Sequence, residues 1–146
     1  MRTALDTSVL LDVLTGDETF GTASREALRK SYDAGSLVAS DVVWAEVRAH
    51  FAGDDAFETA MEVIGVSFDP TSAAAATLAG RLWRDRARAA RKHGAANDAS
   101  QPKRVVADFL VGAHAVLQAD VLLARDRGFY RGYFKGLRIV DPSQAG

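Results

Sequence analysis

Residues 3–14 read TALDTSVLLDVL, a short apolar run followed by Asp6, Thr7 and Ser8 and then by a second apolar run that begins at Val9. Aspartate, threonine and serine are preferred N-cap residues, so the stretch predicts a strand, a turn and a helix. A strand that leads directly into a helix is the opening unit of an α/β fold. Asp6 stands at the junction, directly after the strand.

The rest of the chain repeats this alternation. Short apolar runs follow at residues 37–39, 66–68, 121–124 and 137–140. Helical patterns are found at residues 9–14, 24–35, 42–48, 56–64, 71–92 and 105–117. The runs show little period-two alternation, which is expected of strands covered on both faces. We therefore predict a three-layer α/β/α sandwich with a central parallel sheet, in a single domain over residues 1–146.

Composition excludes several classes of chemistry. The chain has 146 residues with 48% apolar and 25% charged side chains, ordinary for a soluble globular domain. It contains 0 cysteines, which excludes disulfides, thiolate zinc sites, iron–sulfur clusters and cysteine nucleophiles. The first residues lack the apolar core of a signal peptide, and no apolar run reaches the roughly 18 residues of a membrane helix. We expect a cytoplasmic protein with no membrane segment.

The net charge of −1 hides an asymmetry between the two halves of the chain. Residues 1–80 carry 5 Lys and Arg against 13 Asp and Glu, whereas residues 81–146 carry 13 against 6. Such asymmetry suggests a polyanionic partner for the basic part, or else two solvated faces that attract each other in the fold.

Four acidic residues are predicted to meet at one edge of the sheet. Asp6 and Asp126 directly follow strands, at the carboxyl edge where open parallel sheets bind ligands. Asp108 lies in the first turn of the helix at 105–117, which returns to that edge if the next strand is parallel to the first. Glu46 lies about one turn into the helix after the second strand. Such a cluster repels itself unless a hard divalent cation with oxygen ligands is present, so we predict an Mg²⁺ site, with Mn²⁺ able to substitute.

Each of these acids also has a structural explanation when it is taken alone. Asp6 suits a helix N-cap, Asp108 a partner of the helix dipole, Glu46 a solvated helix position and Asp126 a turn. Their joint placement favours the cation. Ser8 either hydrogen-bonds within the site or caps the helix.

Other polar features receive structural interpretations. His114, inside an apolar helix, is predicted to be a satisfied core histidine. Asp12, Asp41 and Asp85 lack the placement of the four acids. Residues 93–102 are polar and punctuated by glycine and proline, and we predict a mobile loop there.

A carboxylate-held Mg²⁺ beside basic residues suits phosphodiester cleavage, because the metal lowers the pKa of a bound water and stabilises the leaving oxygen. The chain has 14 arginines and 4 lysines, and arginine suits bidentate phosphate contacts and stacking on unpaired bases. Alternatively these arginines bind an acidic protein segment or form a solvated helix face. The predicted RNA-binding residues are Arg81, Arg84, Arg88, Arg91, Arg104 and Arg125.

Four segments in order carry a resemblance to a known family. They are LDTSVLLDVL at 5–14, VWAEV at 43–47, RVVADFLVGAHA at 104–115 and LLARDRGFY at 122–130. Together they resemble the PIN-domain ribonucleases, and more narrowly the VapC toxins of bacterial and archaeal type II toxin–antitoxin systems. One departure is Ala124, where many members carry Thr or Ser two residues before the last aspartate.

The resemblance implies a magnesium-dependent endoribonuclease in which four acids bind metal and orient the attacking water. It also implies a homodimer, structured RNA such as tRNA or rRNA as substrate, and a VapB-like antitoxin that occludes the site. Ser8 matches a small hydroxyl residue that the family often places after its first aspartate. The implied metal ligands are Asp6, Glu46, Asp108 and Asp126.

Two other function classes are compatible with an α/β fold that gathers aspartates. An aspartate-based phosphotransfer or phosphatase domain uses a nucleophilic aspartate, but the phosphatase needs a second acid at the position of Ser8. The phosphotransfer domain, a response-regulator receiver, needs an acidic pair at the first strand and a lysine after a late strand. Asp6 has no acidic neighbour, and no lysine directly follows residues 121–124. A non-catalytic interaction module with a structural ion is the other class.

Overall fold

Five strands and seven helices make up the described part of the chain, residues 1–92 and 104–144 of a computed structural model. The predicted mobile loop at 93–102 lies outside the described residues. The strands are β1 (Arg2–Leu5), β2 (Ser36–Ala39), β3 (Val66–Phe68), β4 (Val121–Leu123) and β5 (Ile139–Val140). The helices are α1 (Thr7–Leu14), α2 (Gly21–Ala34), α3 (Asp41–Arg48), α4 (Asp54–Ile64), α5 (Ala73–Lys92), α6 (Arg104–Gln118) and α7 (Phe129–Tyr133).

The strands form one all-parallel sheet in the order β3-β2-β1-β4-β5. The predicted α/β sandwich with a central parallel sheet is therefore confirmed. The chain moves outward from β1 to β3, then crosses back to β4 and continues to β5. Because such crossovers are right-handed, α1 to α4 cover one face of the sheet and α5 to α7 cover the other.

The strand order reverses between β1 and β4, and this switch point is where open α/β sheets bind ligands. Ala4 pairs with Val38 on one side and with Leu122 on the other. Just past β1, the backbone N–H of Asp6 donates to the carbonyl of Leu123 at 3.0 Å. This bond ties the first residue after β1 to the end of β4, so the side chains that follow both strands start from one edge.

Helix α6 is the central helix of its layer. Phe109 is fully buried and packs edge-on against the rings of Phe129 and Tyr133, each at 4.9 Å. His114 is 1% exposed, and its Nε2 lies 2.8 Å from an Asp69 carboxylate oxygen. The prediction of a satisfied core histidine is confirmed.

Helix α7 was not predicted, since its five residues FYRGY carry no helical hydrophobic period. It forms because Asp126 accepts hydrogen bonds from its first backbone N–H groups. The last strand is also shorter than the predicted run at 137–140 and begins at Ile139.

No helix within the described ranges is long and apolar enough to cross a membrane.

Candidate active site

Asp6 both caps a helix and faces the carboxyl edge of the sheet. It is the N-cap of α1, with one carboxylate oxygen 2.8 Å from the Thr7 backbone N–H. Its other oxygen accepts a hydrogen bond from the Ser8 hydroxyl at 3.1 Å. The N-cap explanation and the cation-ligand explanation of Asp6 are therefore compatible. Ser8 supports the Asp6 carboxylate, and the cap of α1 is Asp6 itself.

Thr7 connects Glu46 with Asp6 by hydrogen bonds. Helix α3 starts after β2, with Ser40 as its N-cap. It projects Glu46 toward α1, where the Glu46 carboxylate accepts a hydrogen bond from the Thr7 hydroxyl at 3.1 Å. Because the Thr7 backbone N–H binds Asp6, this one residue links two of the predicted acids. Thr7 was missed as a site residue, since its sequence neighbours mark only a helix start.

A cleft of about 400 Å³ opens at this edge between α1, α3 and α6, and three of the four predicted acids line it. Most of its lining side chains are polar: Asp6, Thr7, Ser8, Leu11, Asp12, Thr15, Asp17, Glu46, His50, Asp108 and Arg125. A larger groove of about 680 Å³, between α2 and the β4–β5 edge, contains none of the predicted site residues.

Asp126 is placed differently from the other three acids. Its side chain is 1% exposed and does not line the cleft. Both carboxylate oxygens accept backbone N–H groups at the start of α7, from Gly128 at 2.9 Å, Tyr130 at 3.1 Å and Arg131 at 3.2 Å. The helix-capping and turn role is therefore visible in the structure, while metal ligation by Asp126 stays a prediction.

At Ala124 the sequence departs from the resemblance, and Asp126 is supported by Asp141 instead. The Asp126 backbone N–H donates to an Asp141 carboxylate oxygen at 3.0 Å. Asp141 is itself held by the Ser143 hydroxyl and backbone N–H, and these hydrogen bonds lower the pKa of Asp141 against the opposing effect of burial. A charged Asp141 thus fixes the backbone from which Asp126 projects.

The electrostatics of the cleft favour a positive ligand. Burial and, more weakly, the charge of Glu46 raise the pKa of Asp6, while hydrogen bonds from Thr7 and Ser8 partly oppose this. Within residues 1–92 and 104–144, neither Asp6 nor Glu46 forms an ion pair. In the same ranges, no three His, Asp or Glu side chains stand close enough together to enclose an ion.

Arg125 lines the cleft but is held by another acid. Its guanidinium forms a bidentate pair with Asp12 at 2.9 and 3.0 Å and lies 4.1 Å from the centre of the Phe20 ring. Asp12 is buried and also accepts from the Ser24 hydroxyl. The structural interpretation of Asp12 is thus confirmed, although it lines the cleft.

Four of the predicted RNA-binding arginines lie on α5, and all four are exposed. The Ser72 backbone N–H, just before α5, donates to the side chain of Gln118 at the end of α6 at 2.9 Å. Because α5 and α6 pack along each other, the last turns of α5 lie beside the first turns of α6, which carry Asp108. The side chain of Arg104 lies outside the described part. We call Arg81, Arg84, Arg88 and Arg91 the arginine face.

Tyr130 lies near the predicted acids, and the sequence did not single it out. It is buried in α7, and its hydroxyl lies within electrostatic reach of all four predicted acids. The sequence offered no signal for it, because an aromatic residue among FYRGYF is typical of core packing.

The PIN domain family model matches residues 3–135, so the chain belongs to the PIN domain family. The resemblance derived from the four sequence segments is confirmed for the family. No curated protein matches the chain in sequence.

Solved structures with the same fold include chains of toxin–antitoxin complexes. One of these structures is VapBC2 from Rickettsia felis, bound to a DNA fragment from its promoter. A chain of it has a TM-score of 0.67 and 14% identity, and the match covers 97% of this chain and 98% of that chain. A chain of VapBC-1 from nontypeable Haemophilus influenzae has a TM-score of 0.61 and 17% identity over 99% and 100%. A chain of DNA-bound VapBC from Salmonella typhimurium has a TM-score of 0.59 and 19% identity over 97% and 98%. At these identities the likeness establishes the fold.

Proposed function

We propose that this chain is a metal-dependent endoribonuclease that acts as the toxin of a toxin–antitoxin pair. The observation that carries the proposal is the meeting of Asp6, Glu46 and Asp108 in one cleft at the switch point of a PIN-domain sheet. Carboxylates that line one cleft repel one another, and a bound cation offsets this repulsion.

The donor set fits a hard divalent cation. The carboxylate oxygens of Asp6, Glu46 and Asp108 are the ligands that Mg²⁺ and Mn²⁺ prefer. A buried hydroxyl without a hydrogen-bond partner in the described part of the chain, that of Tyr130, lies within electrostatic reach of the same acids. We assign the cation to Asp6, Glu46 and Asp108, and Asp126 stays a predicted fourth ligand that does not line the cleft. When bound, such a cation activates water for attack on a phosphodiester and neutralises charge on the leaving oxygen.

The protein residues orient the acids. Thr7 donates to Glu46 through its hydroxyl and to Asp6 through its backbone, so the two carboxylates keep a fixed relation. Ser8 donates to the second oxygen of Asp6 and leaves that carboxylate little rotational freedom. Such supporting hydrogen bonds typically affect metal affinity or activity about 10- to 100-fold.

Structured RNA is the substrate that the charges support. The arginine face runs along α5 toward the end of the molecule that carries Asp108. Exposed arginines at this spacing can follow a phosphate backbone toward the cleft. Arg125 is paired with Asp12, so its contact with RNA requires a phosphate to compete with that carboxylate.

We further propose a homodimer with a VapB-like antitoxin as partner, in the cytoplasm. The similar folds come from VapBC complexes, which supports a partner of that kind. The exposed arginines suit an acidic antitoxin segment as well as RNA, and an antitoxin bound there would block the approach to the acids.

Cleavage of RNA by the purified protein tests the proposal. We expect the wild type to cut a mixture of tRNA and rRNA in Mg²⁺ and to stop in EDTA. Asp6→Asn and Asp108→Asn should each lose roughly 100-fold or more, because they remove a charged ligand. Asparagine is a good N-cap, so Asp6→Asn should keep its fold and its melting temperature in the metal-free protein.

Asp33→Asn is the matched control, since Asp33 is an exposed carboxylate at the end of α2, remote from the cleft. It should cut like the wild type. Undiminished cutting by either site variant, or cutting in EDTA, would contradict the assigned roles. Hydrolysis of a small phosphomonoester without cutting of RNA would favour the aspartate-based phosphatase, and cation binding without any hydrolysis would favour the interaction module.

A further inference from the structure

Tyr130 carries a buried hydroxyl in α7. The residue is 4% exposed, in the first turn of α7, and its ring packs between Phe129 at 5.5 Å and Phe134 at 6.4 Å. Its hydroxyl forms no hydrogen bond with any atom of the described part of the chain. A buried donor without an acceptor is costly, and phenylalanine would fill the same space without that cost.

The hydroxyl lies within electrostatic reach of the predicted acids. The pKa of Asp6 is raised by burial, and the neighbouring Tyr130 hydroxyl is one of the groups that lower it. A tyrosine hydroxyl keeps its proton at neutral pH, so Tyr130 can serve these acids as a donor.

The backbone holds this hydroxyl in place. The Tyr130 backbone N–H donates to Asp126 at 3.1 Å, and Asp126 is in turn anchored by Asp141 at 3.0 Å. Hydrogen bonds thus connect Asp141 with Asp126, and Asp126 with the backbone of Tyr130. They give Asp126 a role in the site that does not need its side chain to reach the cleft.

We propose that Tyr130 is a positioning residue whose hydroxyl donates to the Asp6 carboxylate when the cleft is loaded with a divalent cation. The inference rests on the proposed function, because it assigns Asp6 to the cation. Asp6 then has three donors, Thr7, Ser8 and Tyr130, and about one of its four lone-pair sites is left for the cation. The Tyr130 hydroxyl gains an acceptor, which it does not have within the described part of the chain.

Tyr130→Phe, with Tyr133→Phe as the matched control, tests the inference. Tyr133 is half-buried in the same short helix and packs on Phe109, so its variant removes one hydroxyl from the same aromatic cluster. Three quantities are measured for each protein: the melting temperature without metal, the affinity for Mn²⁺ by calorimetry, and kcat and KM for RNA cleavage.

We expect Tyr130→Phe to melt at the same or a higher temperature than the wild type without metal, because it loses an unsatisfied donor. It should bind Mn²⁺ roughly 10-fold or more weakly and lose kcat by a similar factor, with KM for RNA unchanged. Tyr133→Phe should match the wild type in Mn²⁺ affinity and kcat.

Wild-type Mn²⁺ affinity and kcat in Tyr130→Phe would overturn the inference and leave the proposed nuclease standing. The inference would also be overturned if Tyr130→Phe and Tyr133→Phe both melted at a lower temperature and lost Mn²⁺ affinity and kcat equally. Both hydroxyls would then have a structural role. If the wild type cuts no RNA, the proposed function fails, and the Mn²⁺ affinities still decide the role of Tyr130.

Discussion

The Asp69 carboxylate joins three parts of the fold through one oxygen. It accepts from Arg2 at the start of β1 at 2.8 Å, from His114 in α6 at 2.8 Å and from Gln118 at 3.2 Å. Burial alone would raise the pKa of Asp69, but the hydrogen bonds from Arg2 and His114 outweigh it and lower the pKa below 3.8. This residue therefore stabilises the contact between α6 and the sheet in its charged form.

Asp69→Asn is expected to lower the melting temperature at pH 7. A carboxylate whose pKa is lowered by folding stabilises the fold above its unfolded pKa, and this stabilisation is lost as pH falls through the folded pKa. The difference from the wild type should therefore be full at neutral pH and shrink below pH 3.8. Thermal melts of both proteins from pH 7 to pH 3 measure it.

Asp54→Asn is the control for that series. Asp54 pairs with Arg48 at 2.7 Å, but its side chain is 77% exposed, and exposed pairs contribute little. A melting temperature lowered as much by Asp54→Asn as by Asp69→Asn, or a difference that grows toward low pH, would contradict this account.

Single residues were predictable where position alone decides their role. Asp6 directly follows a strand, Asp108 lies near the start of α6, and Glu46 lies in the short helix after β2, so the topology brings them to one edge. Thr7 and Tyr130 were not predictable, because their roles depend on the direction of a side chain that the sequence pattern does not encode. Asp126 was correctly placed at the edge, yet the short helix after it takes both of its oxygens.

At the level of elements, α5 and α6 pack together as one unit. The arginine face lies on α5, and the antiparallel packing of α6 places the later turns of α5 beside the first turns of α6. The helical patterns of both elements extend over several turns, which is why they were found from sequence. The one-turn helix α7 depends on capping by Asp126, a contact that hydrophobic periodicity cannot reveal.

The double substitution Arg84→Ala and Arg88→Ala should weaken RNA binding. Each lost phosphate contact reduces the dependence of log K on log salt by about 1, so the slope should become flatter by up to about 2. Titrations of labelled RNA in EDTA at several salt concentrations measure affinity without cleavage.

Arg25→Ala with Arg29→Ala is the matched pair, because these arginines are also exposed and four residues apart, but on α2. The pair removes the same charge and should leave the slope close to that of the wild type. Equal slopes for the two double variants would mean that the arginine face does not meet RNA.

At the scale of the whole molecule, the charge asymmetry follows the order of the elements along the chain. The acidic residues 1–80 contain α1 to α4, and the basic residues 81–146 contain most of α5 together with α6 and α7. The order of strands was predictable only as a parallel sheet, since the pairing of β4 beside β1 depends on a crossover that no local pattern specifies. That crossover creates the switch point and hence the cleft.

Expression of the chain alone should arrest the growth of a host cell, because an RNA-cutting toxin acts without its antitoxin. Asp6→Asn at the same level of soluble protein should allow normal growth. Growth curves with the protein quantified in each culture provide the measurement. Normal growth with the wild type present in soluble form would contradict a role as a toxin.

Binding of Mn²⁺ in a crystal tests the central claim most directly, because manganese gives an anomalous signal and can replace Mg²⁺. The account predicts a peak in the cleft, roughly 2.0–2.3 Å from carboxylate oxygens of Asp6 and Asp108, with Glu46 beside it and no peak in Asp6→Asn. An empty cleft in the wild type, or a peak only at acids outside it, would contradict the account.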